Sequence, residues 1–210
     1  MKISSGNFVY SMSADNKAAA SCKPGETVIF ETQDCFSNQI QSEEVLFEST
    51  DWDTINPATG PLKVEGAEIG DTLKVEIKKI ELNNQGVMVT TSEESYLKGF
   101  ITESKTKILP IKNNKVIFND KEVGVTGVEV AGEVTVKVDL VKNKDLSDPL
   151  LETEAAFYTI ASGTDVDAAV KKASNNMFRF LKARLPLSNN EIAMLMSIIC
   201  DLQVSQVVDP

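Results

Sequence analysis

Val134-Thr135-Val136-Lys137-Val138-Asp139-Leu140 alternates apolar and polar residues without a break. Successive side chains of a strand point to opposite faces, so a period of two predicts a half-buried β-strand. Valine at the apolar positions favours the same geometry. Leu73, Val75 and Ile77, set between Lys74, Glu76 and Lys78, repeat the pattern. The alternation then slips at Lys78-Lys79, and Ile80 and Leu82 fall in the opposite phase. A bulge or bend is expected there, because one extra residue changes the face of everything after it. Thr27 to Thr32 follows a Pro24-Gly25 turn and also has strand character. Gly25-Glu26-Thr27 and Gly70-Asp71-Thr72 share one layout before a strand. A recurring turn solution and an internal duplication both account for it.

The period changes in the last third. Val166, Val170, Ala173, Met177, Phe180, Leu181 and Leu185 fall at helical spacing. Ser188 and Glu191 have the spacing of a capping box, with Leu187 and Ile192 placed as a hydrophobic staple. Ile192, Leu195, Met196 and Ile199 are the expected buried face of this second helix. Strands are expected over Ala155 to Ala161 and Leu202 to Val208, and a linker over Asn143 to Asp148. The fold class is therefore α+β and mainly β. A β-sandwich is expected over residues 1–118. Residues 119–210 would hold a strand pair around Val123 to Leu140, then an α/β unit from Glu152 carrying two helices.

The 210 residues include 21 Lys and Arg against 31 Asp and Glu, a net charge of −10. Phosphates need a basic surface, so duplex nucleic acid and anionic membranes are poor partners. The longest apolar run, Ile192 to Cys200, is far too short to span a bilayer. Ala18-Ala19-Ala20-Ser21-Cys22 has the look of a lipoprotein cleavage site, but Asp15, Asn16 and Lys17 stand where an apolar region should lie. Three scattered cysteines give neither a disulfide framework nor a metal spacing, so the cytoplasm is the expected compartment. Histidine is absent. That excludes His-dependent triads, His general bases and His-ligated zinc.

Chemistry must come from other side chains. Glu31-Thr-Gln-Asp34-Cys35-Phe-Ser-Asn38-Gln39 and Asp51-Trp-Asp53-Thr-Ile-Asn56-Pro-Ala-Thr59-Gly-Pro61 are the densest polar stretches. Their carboxylates and amides suit a hard-cation site or an amide-binding pocket. Two carboxylates about 4 Å apart repel by roughly 4 kcal/mol at an effective dielectric near 20. A cluster would need a cation, a shared proton or a basic partner. The same residue types also satisfy turn backbones as Asx motifs. Cys35 has no histidine to serve as its base and is expected to be a packed thiol.

At these two stretches the sequence resembles the acetamidase/formamidase family. Further pieces agree in order: Val64-Glu65-Gly66-Ala67-Glu68 with Gly70-Asp71, Gln85-Gly86-Val87-Met88, Gly127-Val128-Glu129 with Gly132-Glu133-Val134-Thr135, and Asp201-Leu-Gln-Val-Ser205-Gln206-Val-Val-Asp209-Pro210. The resemblance spans the chain. Where the family carries a central segment with His-Gly-Gly-Asn and Gly-Asp-Gly-His motifs, Asn119-Asp120-Lys121-Glu122-Val123-Gly124 runs directly across.

The resemblance implies hydrolysis of formamide or acetamide to the acid and ammonia by a metal-activated water. It implies Asp34, Asp51 and Asp53 as catalytic residues or metal ligands, with Glu122 a further ligand. Asn38, Gln39, Asn56 and Thr59 would form the amide-binding pocket. Oxygen donors favour Ca²⁺ or Mg²⁺ over zinc, and no organic cofactor is implied. Loss of a segment between strands exposes sheet edges, so a homodimer is expected. The alternative reading is an inactive, shortened family member that binds a small ligand or acts as a structural protein.

Overall fold

The computed structural model describes residues 1–91, 99–123, 127–144 and 146–205, with the backbone alone at Glu122 and Val123. The strands are β1 (Lys2–Ile3), β2 (Phe8–Val9), β3 (Ala20–Cys22), β4 (Glu26–Thr32), β5 (Ala58–Thr59), β6 (Leu62–Val64), β7 (Thr72–Leu82), β8 (Gln85–Thr90), β9 (Lys105–Lys112), β10 (Lys115–Phe118), β11 (Lys121–Val123), β12 (Gly132–Val141), β13 (Leu150–Glu152) and β14 (Phe157–Thr159). The helices are α1 (Val166–Lys182) and α2 (Asn189–Ile199). The class is α+β and mainly β, as expected.

The chain divides into two compact units, Met1–Lys144 and Asp145–Pro210. In the first, one sheet has the order β1-β4-β12-β7 and a second the order β11-β10-β9-β8. The valine-rich segment is an interior strand. It pairs antiparallel with β4 from Gly132 opposite Thr32 to Val138 opposite Glu26, and with β7 along its other edge. Val136 and Val138 are buried with Ile3, Cys22, Val28 and Val64. The expected division after Phe118 is therefore displaced to Lys144, because β12 belongs to the first sheet. Nor do the strands around Val123 to Leu140 pair with each other: β11 pairs with β10.

The slip at Lys78-Lys79 is a bulge. Lys79 faces Thr135 and Ile77 faces Val136, so Lys78 is the extra residue. Ile80 then faces Val134, which returns it to the face that carries Ile77. The two similar turns are also alike in structure. Gly25 and Gly70 have φ of 87° and 92°, a conformation that costs glycine little. The Lys23 N–H donates to Glu26 Oε2 at 2.8 Å, and the Glu68 N–H to Asp71 Oδ2 at 2.8 Å. The two turns launch β4 and β7, the strands on either side of β12.

Asn83 and Asn84 carry the chain from β7 in one sheet to β8 in the other. This crossing is pinned by main-chain bonds, Asn83 N–H to Ala131 O at 2.9 Å and Ile111 N–H to Asn84 O at 2.8 Å. Leu109, Ile111, Val116 and Val128 form a second core cluster. Phe36, Ile40 and Val87 form a third beneath the loop that follows β4.

In the second unit β13 and β14 pair antiparallel, and the Thr159 hydroxyl donates to Ala173 O in α1 at 3.0 Å. Asp165 caps α1 through the Ala168 N–H. The capping box is present in full at the start of α2. Ile192 is fully buried, but Ile199 is 61% exposed and Val166 is also exposed. These two residues lie off the buried faces that their spacing predicts. Leu202 to Ser205 form no strand, and the remainder of that expected strand lies outside the described residues. No described helix is long and apolar enough to cross a membrane.

Candidate functional site

Where β4 ends, the chain folds back tightly between Asp34 and Ile40. The Asn38 N–H donates to Asp34 Oδ1 at 2.7 Å, and the Asp34 N–H donates to Asn38 Oδ1 at 3.2 Å. Ser37 and Asn38 both take left-handed backbone, which asparagine tolerates better than most residues. This reciprocal pair leaves Asp34 only 6% exposed. Burial pushes its carboxyl above the usual carboxylate range, opposed by the N–H groups of Asn38 and Phe36.

Asp34 opens onto a cavity of about 370 Å³ lined by Asp34, Asn38, Gln41, Asn83, Asn84, Gln85, Val87 and Ala131. Val87 and Ala131 are buried and apolar, while the Asn38, Asn83 and Asn84 side chains are exposed. Gln85 Nε2 donates to Gln41 Oε1 at 3.5 Å, joining the loop after β4 to the crossing between the sheets.

The second polar loop supports the first. The Asp51 N–H donates to Gln39 Oε1 at 2.9 Å, and Gln39 Nε2 donates to Thr54 Oγ1 at 3.3 Å and to Asp51 O at 3.4 Å. The Ser37 hydroxyl donates to Thr54 O, and the Asn56 N–H to Cys35 O at 2.6 Å. The Thr59 hydroxyl donates to Glu31 O at 2.8 Å. Asp51 Oδ1 accepts from the Asp53 N–H at 3.1 Å and so caps the short 3₁₀ turn Trp52–Thr54. Trp52 stacks edge-on against Phe47, with ring centroids 4.5 Å apart. Glu31 is held by the Ser5 N–H and by Lys2, and these keep its carboxyl below the usual range.

Of the residues singled out from sequence, Asp34 and Asn38 line the cavity. Gln39, Asp51, Asn56 and Thr59 bind the two loops together. Asp53 is exposed and contributes its N–H to the Asp51 cap. The Glu122 side chain lies outside the described residues. Gln41, Asn83, Asn84 and Gln85 were missed. Their one local signal is a run of three amides, Asn83-Asn84-Gln85, between two strands.

The donor set of the described residues does not fit a divalent ion. Among the described residues no group of three His, Cys, Asp or Glu could hold one. No buried side-chain polar atom among them lacks a hydrogen bond. Among the described residues the cavity offers one carboxylate and several amides, which suits a neutral polar ligand.

The acetamidase/formamidase family model matches residues 12–120. The fold is similar to that of an acetamidase from Bacillus halodurans, with 33% identity and a TM-score of 0.94 over 99% of this chain and 93% of that one. An acetamidase/formamidase of the thermophile Thermoanaerobacter tengcongensis, itself described as predicted, is 33% identical over 99% of this chain and 91% of that one, with a TM-score of 0.90. An acetamidase from Yersinia enterocolitica, 19% identical, shares the fold with a TM-score of 0.80 over 92% of this chain and 82% of that one. No curated protein matches the sequence. A family match over half the chain, with one-third identity over nearly all of two solved relatives, establishes that this chain belongs to the acetamidase/formamidase family.

Proposed function

We propose that this chain is an amidohydrolase that converts short-chain amides such as formamide and acetamide to the carboxylic acid and ammonia, with Asp34 as general base. The observation that carries the reading is a buried carboxylate facing a cavity of amide side chains. Burial raises the proton affinity of Asp34, and a base whose pKa approaches the working pH is a better catalyst. Asp34 takes a proton from water as its oxygen bonds to the amide carbon. The carbonyl becomes an oxyanion, which side-chain N–H groups of the lining amides stabilise. The C–N bond then breaks, and the proton passes from Asp34 to the departing nitrogen. Gln39, Asp51 and Thr54 hold the Asp34 loop in place through the bonds described above.

The test is ammonia release from formamide and acetamide, with chelator and then with added Ca²⁺, Mg²⁺ or Zn²⁺. Release in chelator is expected, and Asp34→Asn should lower kcat/KM by about 10²- to 10⁴-fold, the usual worth of a positioned base. No release under any condition would sink the amidase reading. A second reading, amide binding without turnover, is favoured by one observation: Asp34 Oδ1 already accepts from the Asn38 N–H. It predicts saturable amide binding with no ammonia.

A further inference from the structure

The cavity is much larger than formamide or acetamide. At about 370 Å³ it lies within the roughly 300–1,000 Å³ range of pockets that take drug-sized ligands. A water occupies about 30 Å³ in the liquid, so the space corresponds to about a dozen waters. Acetamide has four non-hydrogen atoms and would leave most of it unfilled. Unfilled polar space keeps its water and contributes nothing to discrimination.

The lining is distributed. Asp34, Asn38 and Gln41 come from the loop after β4, and Asn83, Asn84 and Gln85 from the crossing between the sheets. Each amide side chain offers both a donor and an acceptor. The crossing is held by main-chain bonds to Ala131 and Ile111, so its amides sit on a fixed support. Among the described residues Asp34 is the one charged residue of the lining, and the chain carries a net charge of −10. A carboxylate ligand would meet like charge, with no basic residue among the described lining residues to offset it. A second carboxamide would meet hydrogen-bonding partners.

Building on the amidase reading, we propose that the cavity takes a carboxamide bearing a second uncharged polar group, a small diamide in the size range of succinamide. One amide lies at Asp34 and Asn38. The other is held by Asn83, Asn84 and Gln85. The preference is for the diamide over both the short monoamide and the half-acid with a free carboxylate.

Binding is measured by NMR titration of the full chain with succinamide, acetamide and succinamate. Asp34→Asn is titrated alongside, since its turnover should be slowed about 10²- to 10⁴-fold. Succinamide should bind the wild type at least tenfold more tightly than acetamide, and at least tenfold more tightly than succinamate. Asn84→Ala should weaken succinamide binding more than acetamide binding and so reduce the preference several-fold. Asp34→Asn should keep the diamide preference and lose the discrimination against succinamate. Equal affinities for succinamide and acetamide, equal affinities for succinamide and succinamate, or no succinamide binding would each overturn the proposal. Ammonia release from formamide is scored separately. A chain that hydrolyses formamide without preferring the diamide remains an amidase and refutes only this inference.

Discussion

Asp34 sets activity against stability. Burial holds its folded-state pKa above the unfolded value of about 3.9. A carboxyl raised in this way contributes its full stabilisation only at pH below the unfolded value, and part of it up to the folded pKa. That contribution is lost as pH rises through the folded pKa. Above its folded pKa the ionised, buried group is therefore a net cost. Asp34→Asn keeps an oxygen to accept from the Asn38 N–H and removes the charge. Calorimetry should show a higher Tm for the variant at pH 7, by about 2–4 °C for each kcal/mol recovered. The gain should shrink as pH falls through the folded pKa toward the unfolded value, because the wild-type group then protonates in the folded state. A Tm that falls at pH 7 would mean that the carboxylate supports the loop. Residue types alone pointed to Asp34 and Asn38. They could not separate these from Asp51, because a carboxylate that caps its own turn looks the same in sequence as one that faces a cavity. Asn83 to Gln85 were illegible for a different reason. They reach the site through the crossing between two sheets, a tertiary placement that a run of three amides between strands does not reveal.

Each unit offers a position at the level of its elements where a small change matters. At Gly132 an added Cβ would stand 2.5 Å from the Glu81 carbonyl oxygen, main chain of the neighbouring strand. Neither strand can give way without breaking the β12–β7 ladder, so Gly132→Ala should destabilise the first unit by about 1–3 kcal/mol. Denaturant unfolding checks this, and an unchanged midpoint would mean that the ladder shifts freely. In the second unit Ser188 accepts from the Glu191 N–H while Glu191 accepts from the Ser188 N–H. Ser188→Ala should cost about 1 kcal/mol, with faster amide exchange confined to the first turn of α2. Such features are legible in sequence because they are local: the alternation of β12, the Lys78 bulge and the capping box each rest on a few neighbouring residues. The place of β12 between β4 and β7 depends on pairings across the whole first unit. That is why the division expected after Phe118 falls instead at Lys144.

The whole molecule carries a net charge of −10, and two electrostatic effects compete. Like charges repel across the surface and disfavour the compact state. Against this stand ion pairs such as Lys79–Glu81 and Lys171–Asp167, each with both side chains more than half exposed. Pairs of this kind contribute roughly 0–1 kcal/mol and are weakened by salt. Lys142 makes the firmer clasp, reaching Asp71 at 2.8 Å, Glu68 at 3.2 Å and the Gly66 carbonyl at 2.6 Å. Asp71 is nearly buried there, and the Lys142 ammonium holds its carboxyl below the usual range. Added salt shortens the screening length to about 8–10 Å. That relieves repulsion over the whole surface and reaches a nearly buried pair much less. Net stability should therefore rise with sodium chloride between low and physiological ionic strength, read as an increase in Tm of a few degrees. A Tm that falls would show that the surface pairs outweigh the repulsion. Lys142→Ala separates the two effects: it removes the clasp and makes the net charge more negative, so it should lower Tm and steepen the rise with salt.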